Sequence, residues 1–178
     1  MAISAFEEKK LKIAALLPQI KILCEKDHVA LIDEKSAILI GQFLQDISCR
    51  RLLEIGSGYG YSALIFLLSM LQPYYGANIE IVTIERLQNR WETANAFFQQ
   101  AGVDSSIRCI LGEAPDAFAW VDFSQKWDCI FIDAAMGGYA DFWFQLKDFV
   151  VPGGIFIAGN INLHQVLDVE AKALPRRH

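Results

Sequence analysis

The stretch Leu52-Leu53-Glu54-Ile55-Gly56-Ser57-Gly58-Tyr59-Gly60-Tyr61-Ser62 constrains this chain more than any other. An apolar run carrying one acid ends in a glycine-dense turn, and an apolar helical pattern, Ala63 to Leu71, follows at once. The pattern predicts strand, tight turn, helix. Glycine at 56, 58 and 60 gives the backbone left-handed freedom and lets a ligand approach without Cβ obstruction. The helix beyond it points unpaired N–H groups at whatever occupies the turn. Such a turn alone could cradle a phosphate, a nucleoside or nothing.

Two details narrow the choice. The G-x-G-x-G spacing departs from the dinucleotide fingerprint G-x-G-x-x-G, and no G-K-[ST] marks a phosphate loop. Glu54 closes the strand with a carboxylate, which suits a cationic ligand better than a pyrophosphate. A second apolar run, Ile79 to Ile84, ends in Glu85, far enough on for a helix and a crossover. An acid ending the second strand of such a unit typically accepts hydrogen bonds from ribose hydroxyls. Turn and acid together suggest a nucleoside whose other end is positively charged, and S-adenosylmethionine fits.

Strand-like and helix-like runs alternate along the chain. Residues 3–25 read as a helix that Pro18 should kink or divide. After an extended piece at 28–32, Asp33 is placed to cap a helix from Glu34 to Ile47, with Ala37, Ile38, Ile40, Phe43, Leu44 and Ile47 as its apolar face. Strands are expected at Arg51–Ile55, Ile79–Ile84, Ile107–Leu111, Trp127–Asp133 and Ile155–Ala158. Helices are expected at Ser62–Leu71, Gln88–Gln100 with Gly102 as its stop, Pro115–Trp120 and Gly137–Phe149. Residues 72–78 read as a loop and 150–154 as a turn. Near-continuous apolar strands between helices imply a parallel sheet covered on both faces, with ligands beyond the strands' carboxyl ends. Glu54, Glu85, Glu113, Asp133 and Asn160 all fall at such ends. Five polar ends on one rim are hard to explain by packing and argue for a site.

With 178 residues, 53% hydrophobic and 21% charged, the chain is expected to be one globular domain. No apolar run is long enough to span a bilayer, and the first ten residues lack a signal-peptide core. Cys24, Cys49, Cys109 and Cys129 are far apart, which favours buried thiols in a reducing cytoplasm over disulfides or zinc. A net charge of −5 argues against broad nucleic-acid binding. The basic clusters at Lys9-Lys10-Lys12 and Arg50-Arg51 read as solvated faces, and Arg176-Arg177-His178 forms a third cluster at the end. A lone His28 reads as a packing or surface residue.

The run E-I-G-x-x-x-G-Y-S-A from Glu54, then I-E at Ile84-Glu85, then F-I-D-A-A-x-x-x-Y from Phe131, then P-G-G from Pro152 resembles the metal-dependent O-methyltransferases. That family contains catechol and caffeoyl-CoA O-methyltransferases and bacterial tRNA 5-hydroxyuridine methyltransferases, and spacing from Glu85 to Asn160 looks most like the last group. The resemblance covers about His28 to Asn160. It implies a Rossmann-like α/β methyltransferase fold as a single domain over 1–178, with N-terminal helices in 1–47 and a cofactor-binding core in 48–178. The matching cofactor residues are Ile32, Glu54, Gly56, Gly58, Ser62, Glu85, Glu113, Ala114 and Asp133. In the family Ile32 lies along the methionine end, Ser62 contacts the cofactor, and Glu113 and Ala114 flank the adenine.

The resemblance also implies a divalent cation such as Mg²⁺ that holds and acidifies the acceptor hydroxyl. Its ligands are an Asp after the fourth strand and an Asp-Asn pair after the fifth; Asp133 and Asn160 match, and Asp133 is the catalytic candidate. Here the chain departs from the pattern. Gly159 stands in the second Asp position, and Met136 stands where the family commonly has a lysine. One carboxylate should hold a hard cation weakly. Family members continue with a helix and two more strands, whereas Ile161 to His178 fits part of a helix and no hairpin. Either those strands are missing or the natural chain continues. The leading expectation is a cytoplasmic enzyme acting on tRNA wobble 5-hydroxyuridine or a small catechol-like hydroxyl, with a homodimer through the N-terminal helices. The rivals are a cofactor-binding relative with an impaired metal site, and an unrelated nucleotide-binding α/β domain.

Overall fold

Strand β1, Arg51–Ile55, occupies the middle of a five-stranded, all-parallel sheet. A computed structural model describes residues 4–71, 78–134 and 138–159. Its other strands are β2 (Glu80–Glu85), β3 (Ile107–Leu111), β4 (Trp127–Ile132) and β5 (Val150–Ala158). They lie in the order β3-β2-β1-β4-β5. The order reverses between β1 and β4, so the glycine turn after β1 and the loop after β4 open into the same crevice.

The strand pleat explains how an almost wholly apolar strand is used. Leu52, Ile81, Cys109 and Phe131 point to one face, and Leu53, Val82, Ile110 and Ile130 to the other. The first face is covered by α1 (Ala5–Lys26), α2 (Glu34–Asp46), α3 (Tyr61–Met70) and α4 (Gln88–Ala101). The second carries the 3₁₀ segment Asp116–Trp120 and α5 (Tyr139–Leu146). Phe66 of α3 meets Phe131 of β4 edge to face, with ring centroids 5.1 Å apart, which locks α3 over the sheet's centre.

Local chemistry sets the helix ends. Ser4 Oγ accepts the Glu7 N–H and Asp33 Oδ1 accepts the Ser36 N–H, so α1 and α2 start where their caps stand. Gly102 ends α4 in the left-handed conformation. Pro18 does not divide α1, which runs through it as one element. Burial of Ile13, Leu16, Ile20 and Cys24 along one stripe on both sides of the proline holds it together.

The face assigned to α2 needs correction. Ala37, Ile40, Gly41 and Leu44 are buried, whereas Ile38 and Phe43 are 56% and 44% exposed. Gly41 decides this, since a Cβ there would fall 2.5 Å from Ser69 Oγ, so α2 crosses α3 on its small residues. Strand β5 also starts earlier than expected. Val150 pairs with Trp127 and Ile155 with Cys129, so residues 151–154 are accommodated as an irregularity within the strand. Helix α5 ends at Leu146 and tightens into a 3₁₀ turn, Lys147–Phe149.

Two of the three basic clusters are spoken for. Lys12 pairs with Glu8, and Lys10 lies over the Phe6 ring. Arg51 Nε donates to Glu80 and its guanidinium stacks 4.3 Å from the Trp127 ring, at the sheet end opposite the crevice. The third cluster, Arg176-Arg177-His178, lies outside the described residues.

Candidate functional site

The glycine turn is shaped by contacts that forbid a side chain. A Cβ on Gly56 would sit 2.4 Å from the Asp133 carbonyl oxygen, so β1 and β4 can end this close only with glycine there. Gly60, the left-handed N-cap of α3, would drive a Cβ to 2.6 Å from the Phe98 ring. The turn is pinned to β2 by the Gly56 and Ser57 N–H groups, which both donate to the Ile84 carbonyl. Tyr59 anchors it from outside through a 2.8 Å hydrogen bond from its hydroxyl to Asp27 at the end of α1.

A cavity of about 540 Å³ opens over this turn. Ile32, Gly56, Gly58, Ser62, Glu85, Glu113, Ala114 and Asp133 all line it. Glu85 is a nearly buried acid in its wall. One carboxylate oxygen accepts the Gly58 N–H and the other the Leu87 N–H, each at 2.9 Å, and the residue is 5% exposed. Each oxygen keeps a lone pair for a hydroxyl in the cavity. Glu113 sits at the mouth, more than half exposed, 3.5 Å from Arg86, a pairing that contributes little to stability. Ser57 Oγ is buried in the wall, against the Cys109 thiol of β3.

Glu54 is placed differently from the other acids. It does not line the cavity. It is completely buried under the turn, where its carboxyl oxygens accept the Ser62 hydroxyl at 2.5 Å and the Thr83 hydroxyl at 2.6 Å. Burial pushes this carboxyl up to about 7, against the opposing pull of those two hydroxyls, and the negative charges of Asp133 and Glu85 add to the rise. Glu54 therefore reaches the cavity only through Ser62, which lines it.

A second, more apolar hollow of about 850 Å³ lies between α2 and β5, with Leu39, Ile40, Phe43, Ile155 and Ile157 in its walls. The two spaces share Ile32 and Asp133. Asp133 thus stands where a ligand in one would meet a ligand in the other. Nearby, the Tyr139 hydroxyl lies within donating distance of the Ala134 carbonyl at 3.0 Å and the Gly159 carbonyl at 2.8 Å. Burial raises the Tyr139 phenol above its usual range, and Asp133 adds to this.

The cation implied by the resemblance fits poorly. Among the described residues no group of three or more His, Cys, Asp or Glu side chains converges to hold a metal. A Cβ at Gly159 would fall 3.0 Å from Asp133 Oδ1, so the missing second carboxylate would have stood beside the first. Asn160 and Met136 lie outside the described residues.

Reading the sequence missed several participants. Thr83 was visible as the one polar residue inside the run Glu80–Glu85 that is not an acid at its ends, two residues before Glu85 and on the same face. Tyr139 was in the quoted motif without a role. Asp27, Arg86 and Arg90 carry no local signal, because the turn after α1 and the rim of α4 come to the cavity only through the fold.

Comparison with known proteins agrees with this geometry. The sequence profile of a family described as O-methyltransferase matches residues 20–174. The chain belongs to that family. It is 30% identical over 124 residues to a caffeoyl-CoA O-methyltransferase of Populus kitakamiensis, covering 68% of this chain and 51% of that protein. The chain thus spans about half the length of this curated relative. Among solved structures, an O-methyltransferase from Bacillus cereus in complex with SAH superposes with a TM-score of 0.76 at 19% identity, over 87% of this chain and 70% of the other. The O-methyltransferase TomG of Streptomyces achromogenes, involved in tomaymycin synthesis and in complex with SAM, gives 0.74 at 22% identity, over 85% and 68%. At these identities the likeness establishes the Rossmann-like methyltransferase fold. Among the described residues no helix is long and apolar enough to cross a membrane.

Proposed function

We propose that this chain is a single S-adenosylmethionine-dependent O-methyltransferase domain that methylates a ring hydroxyl, with tRNA wobble 5-hydroxyuridine as the leading acceptor. The observation that carries the donor half is Glu85, held by two backbone N–H groups at the C-terminal end of β2 inside the cavity. It is set to take ribose hydroxyls. Glu113 and Ala114 would flank the adenine, and Gly56, Gly58, Ser62 and Ile32 the methionine end. The tRNA assignment rests on the motif spacing described above. A small catechol-like acceptor is the second reading, and the apolar hollow beside Asp133 favours it.

The chemistry is a displacement at carbon. The acceptor oxygen forms a bond to the methyl carbon as the carbon–sulfur bond breaks, S-adenosylhomocysteine leaves, and the hydroxyl proton passes to a base. Asp133, shared by the two spaces, is the residue placed to orient the hydroxyl and receive that proton. Holding both reactants in line supplies much of the rest. In this family a divalent cation acidifies the acceptor hydroxyl. The described donors offer one carboxylate, so Mg²⁺ dependence here is proposed to be weak or absent. This same poverty motivates a cofactor-binding domain with little turnover as the competing outcome.

Four buried free thiols suit a reducing cytoplasm, and exposed Leu11 and Ile22 on α1 and Ile38 and Leu39 on α2 are candidate contacts for a homodimer. The deciding experiment combines calorimetric titration with S-adenosylmethionine and a turnover assay on hydroxyuridine-bearing tRNA and on catechols, with and without Mg²⁺. Methylated tRNA is the expected product. Binding without any product favours the competing domain, and no binding removes the donor assignment.

A further inference from the structure

Among the buried ionisable groups the proposed chemistry leaves unused, Glu54 is the most unusual. It is a wholly buried carboxyl whose partners are two hydroxyls, one on α3 and one on β2. The charged or ionisable groups acting on it are Glu85 at the end of β2, Asp133 after β4, and the thiols of Cys109 on β3 and Cys129 on β4. Among the described residues none of the groups acting on it is cationic. Burial pushes the Cys109 thiol up to about 12 and the Cys129 thiol higher, so neither titrates near neutrality.

Resting on the methyl-donor reading above, we propose that Glu54 distinguishes the charge on the ligand's sulfur: it gives up its proton when a sulfonium enters the cavity and retains it when a thioether does. Its link to the cavity is the Ser62 hydroxyl, which lines the space and donates to Glu54. The charges that act on Glu54, Asp133 and Glu85, are both negative, so a cation arriving in that space joins the Ser62 and Thr83 hydroxyls in favouring the carboxylate. With burial lifting the carboxyl to about 7, arrival of a positive charge moves it through the range where it ionises. The proton goes to solvent, and no bond to the ligand forms or breaks. After methyl transfer the sulfur is neutral, the carboxylate loses its partner and takes a proton back. Charged donor is therefore held more tightly than spent product, and the difference grows with pH.

Calorimetric titration of the whole chain with S-adenosylmethionine and with S-adenosylhomocysteine, each in two buffers of different ionisation enthalpy, reads the proton directly. At pH 6.5 the amino group of either ligand is still protonated. The expected result is release of roughly half a proton or more per S-adenosylmethionine and none per S-adenosylhomocysteine. The ratio of their affinities should rise roughly tenfold between pH 5.5 and 7.5. Glu54→Gln should abolish both differences. Equal proton release for the two ligands overturns the proposal, and so does a sulfonium-linked proton that persists in Glu54→Gln. Should that variant fail to fold, the two-ligand comparison on the unaltered chain decides alone. Binding of neither ligand overturns the methyl-donor reading itself, a result distinct from binding of both with no proton difference.

Discussion

The Tyr139 hydroxyl lies 2.8 Å from the carbonyl oxygen of Gly159 and 3.0 Å from that of Ala134. One phenol thus ties the loop after β4 to the end of β5, the two places that flank the shared wall at Asp133. A hydroxyl has one proton, so it serves one carbonyl at a time. Tyr139→Phe keeps the ring and removes the tie. We expect hydrogen exchange in peptides covering Asp133 and Gly159 to speed up about fivefold, the equivalent of roughly 1 kcal/mol for one hydrogen bond. S-adenosylmethionine affinity should stay within twofold, because the Glu85 end is untouched. Unchanged exchange would show that other contacts hold the loops.

Glu85 does two jobs at once, stabilising the turn through Gly58 and Leu87 and facing the cavity. Glu85→Ala strands buried N–H groups as well as removing the ligand's acceptor. Calorimetry should show S-adenosylmethionine binding weakened by roughly 1–3 kcal/mol, and a thermal melt should show some loss of stability. Unaltered affinity would mean that the ribose is held elsewhere.

Glu54 also predicts how stability follows pH. Its folded-state value of about 7 stands above the ordinary 4.5, so the folded chain holds a proton that the unfolded chain has already lost. Stability should therefore fall as pH rises from about 4.5 to 7 and level off above that, by up to roughly 3 kcal/mol. Urea midpoints measured from pH 5 to 8 for the unaltered chain and for Glu54→Gln isolate this contribution. Parallel curves would mean that the carboxyl does not titrate in this window.

The sheet was legible because its five strands are apolar runs bounded by polar or glycine-rich turns, and of the acids read at their ends Glu85, Glu113 and Asp133 line one cavity while Glu54 does not. The same argument could not separate rim from floor. Glu54 and Glu85 each close an apolar run, yet strand pairing sets Glu54 opposite Thr83, one step short of the edge, and sends it beneath α3. The exposed face of α2 was misread because Ile38 and Phe43 fit the helical period as well as Gly41 does not. Only the close approach of Ser69 shows that the small residue faces inward. Tyr139 was equally out of reach, since its partners are backbone carbonyls that no side-chain pattern reports.

Gly159 offers the sharpest test of the acceptor end. A Cβ there would stand 3.0 Å from Asp133 Oδ1 and 3.3 Å from the Phe131 ring, and the backbone at 159 is outside the left-handed region, so an aspartate is tolerable if the Asp133 side chain gives by a few tenths of an ångström. Two carboxylates so close repel unless a cation lies between them. Gly159→Asp should therefore melt lower than the unaltered chain in the presence of a chelator, and millimolar Mn²⁺ or Mg²⁺ should raise its melting temperature by a few degrees through preferential binding to the folded state. The unaltered chain, in which no group of three or more metal-binding side chains converges among the described residues, should shift little. If the metal moves neither protein, the loop after β5 has diverged beyond what one side chain restores. If it moves both equally, the native donors already form a cation site and the poor fit argued from Gly159 is wrong.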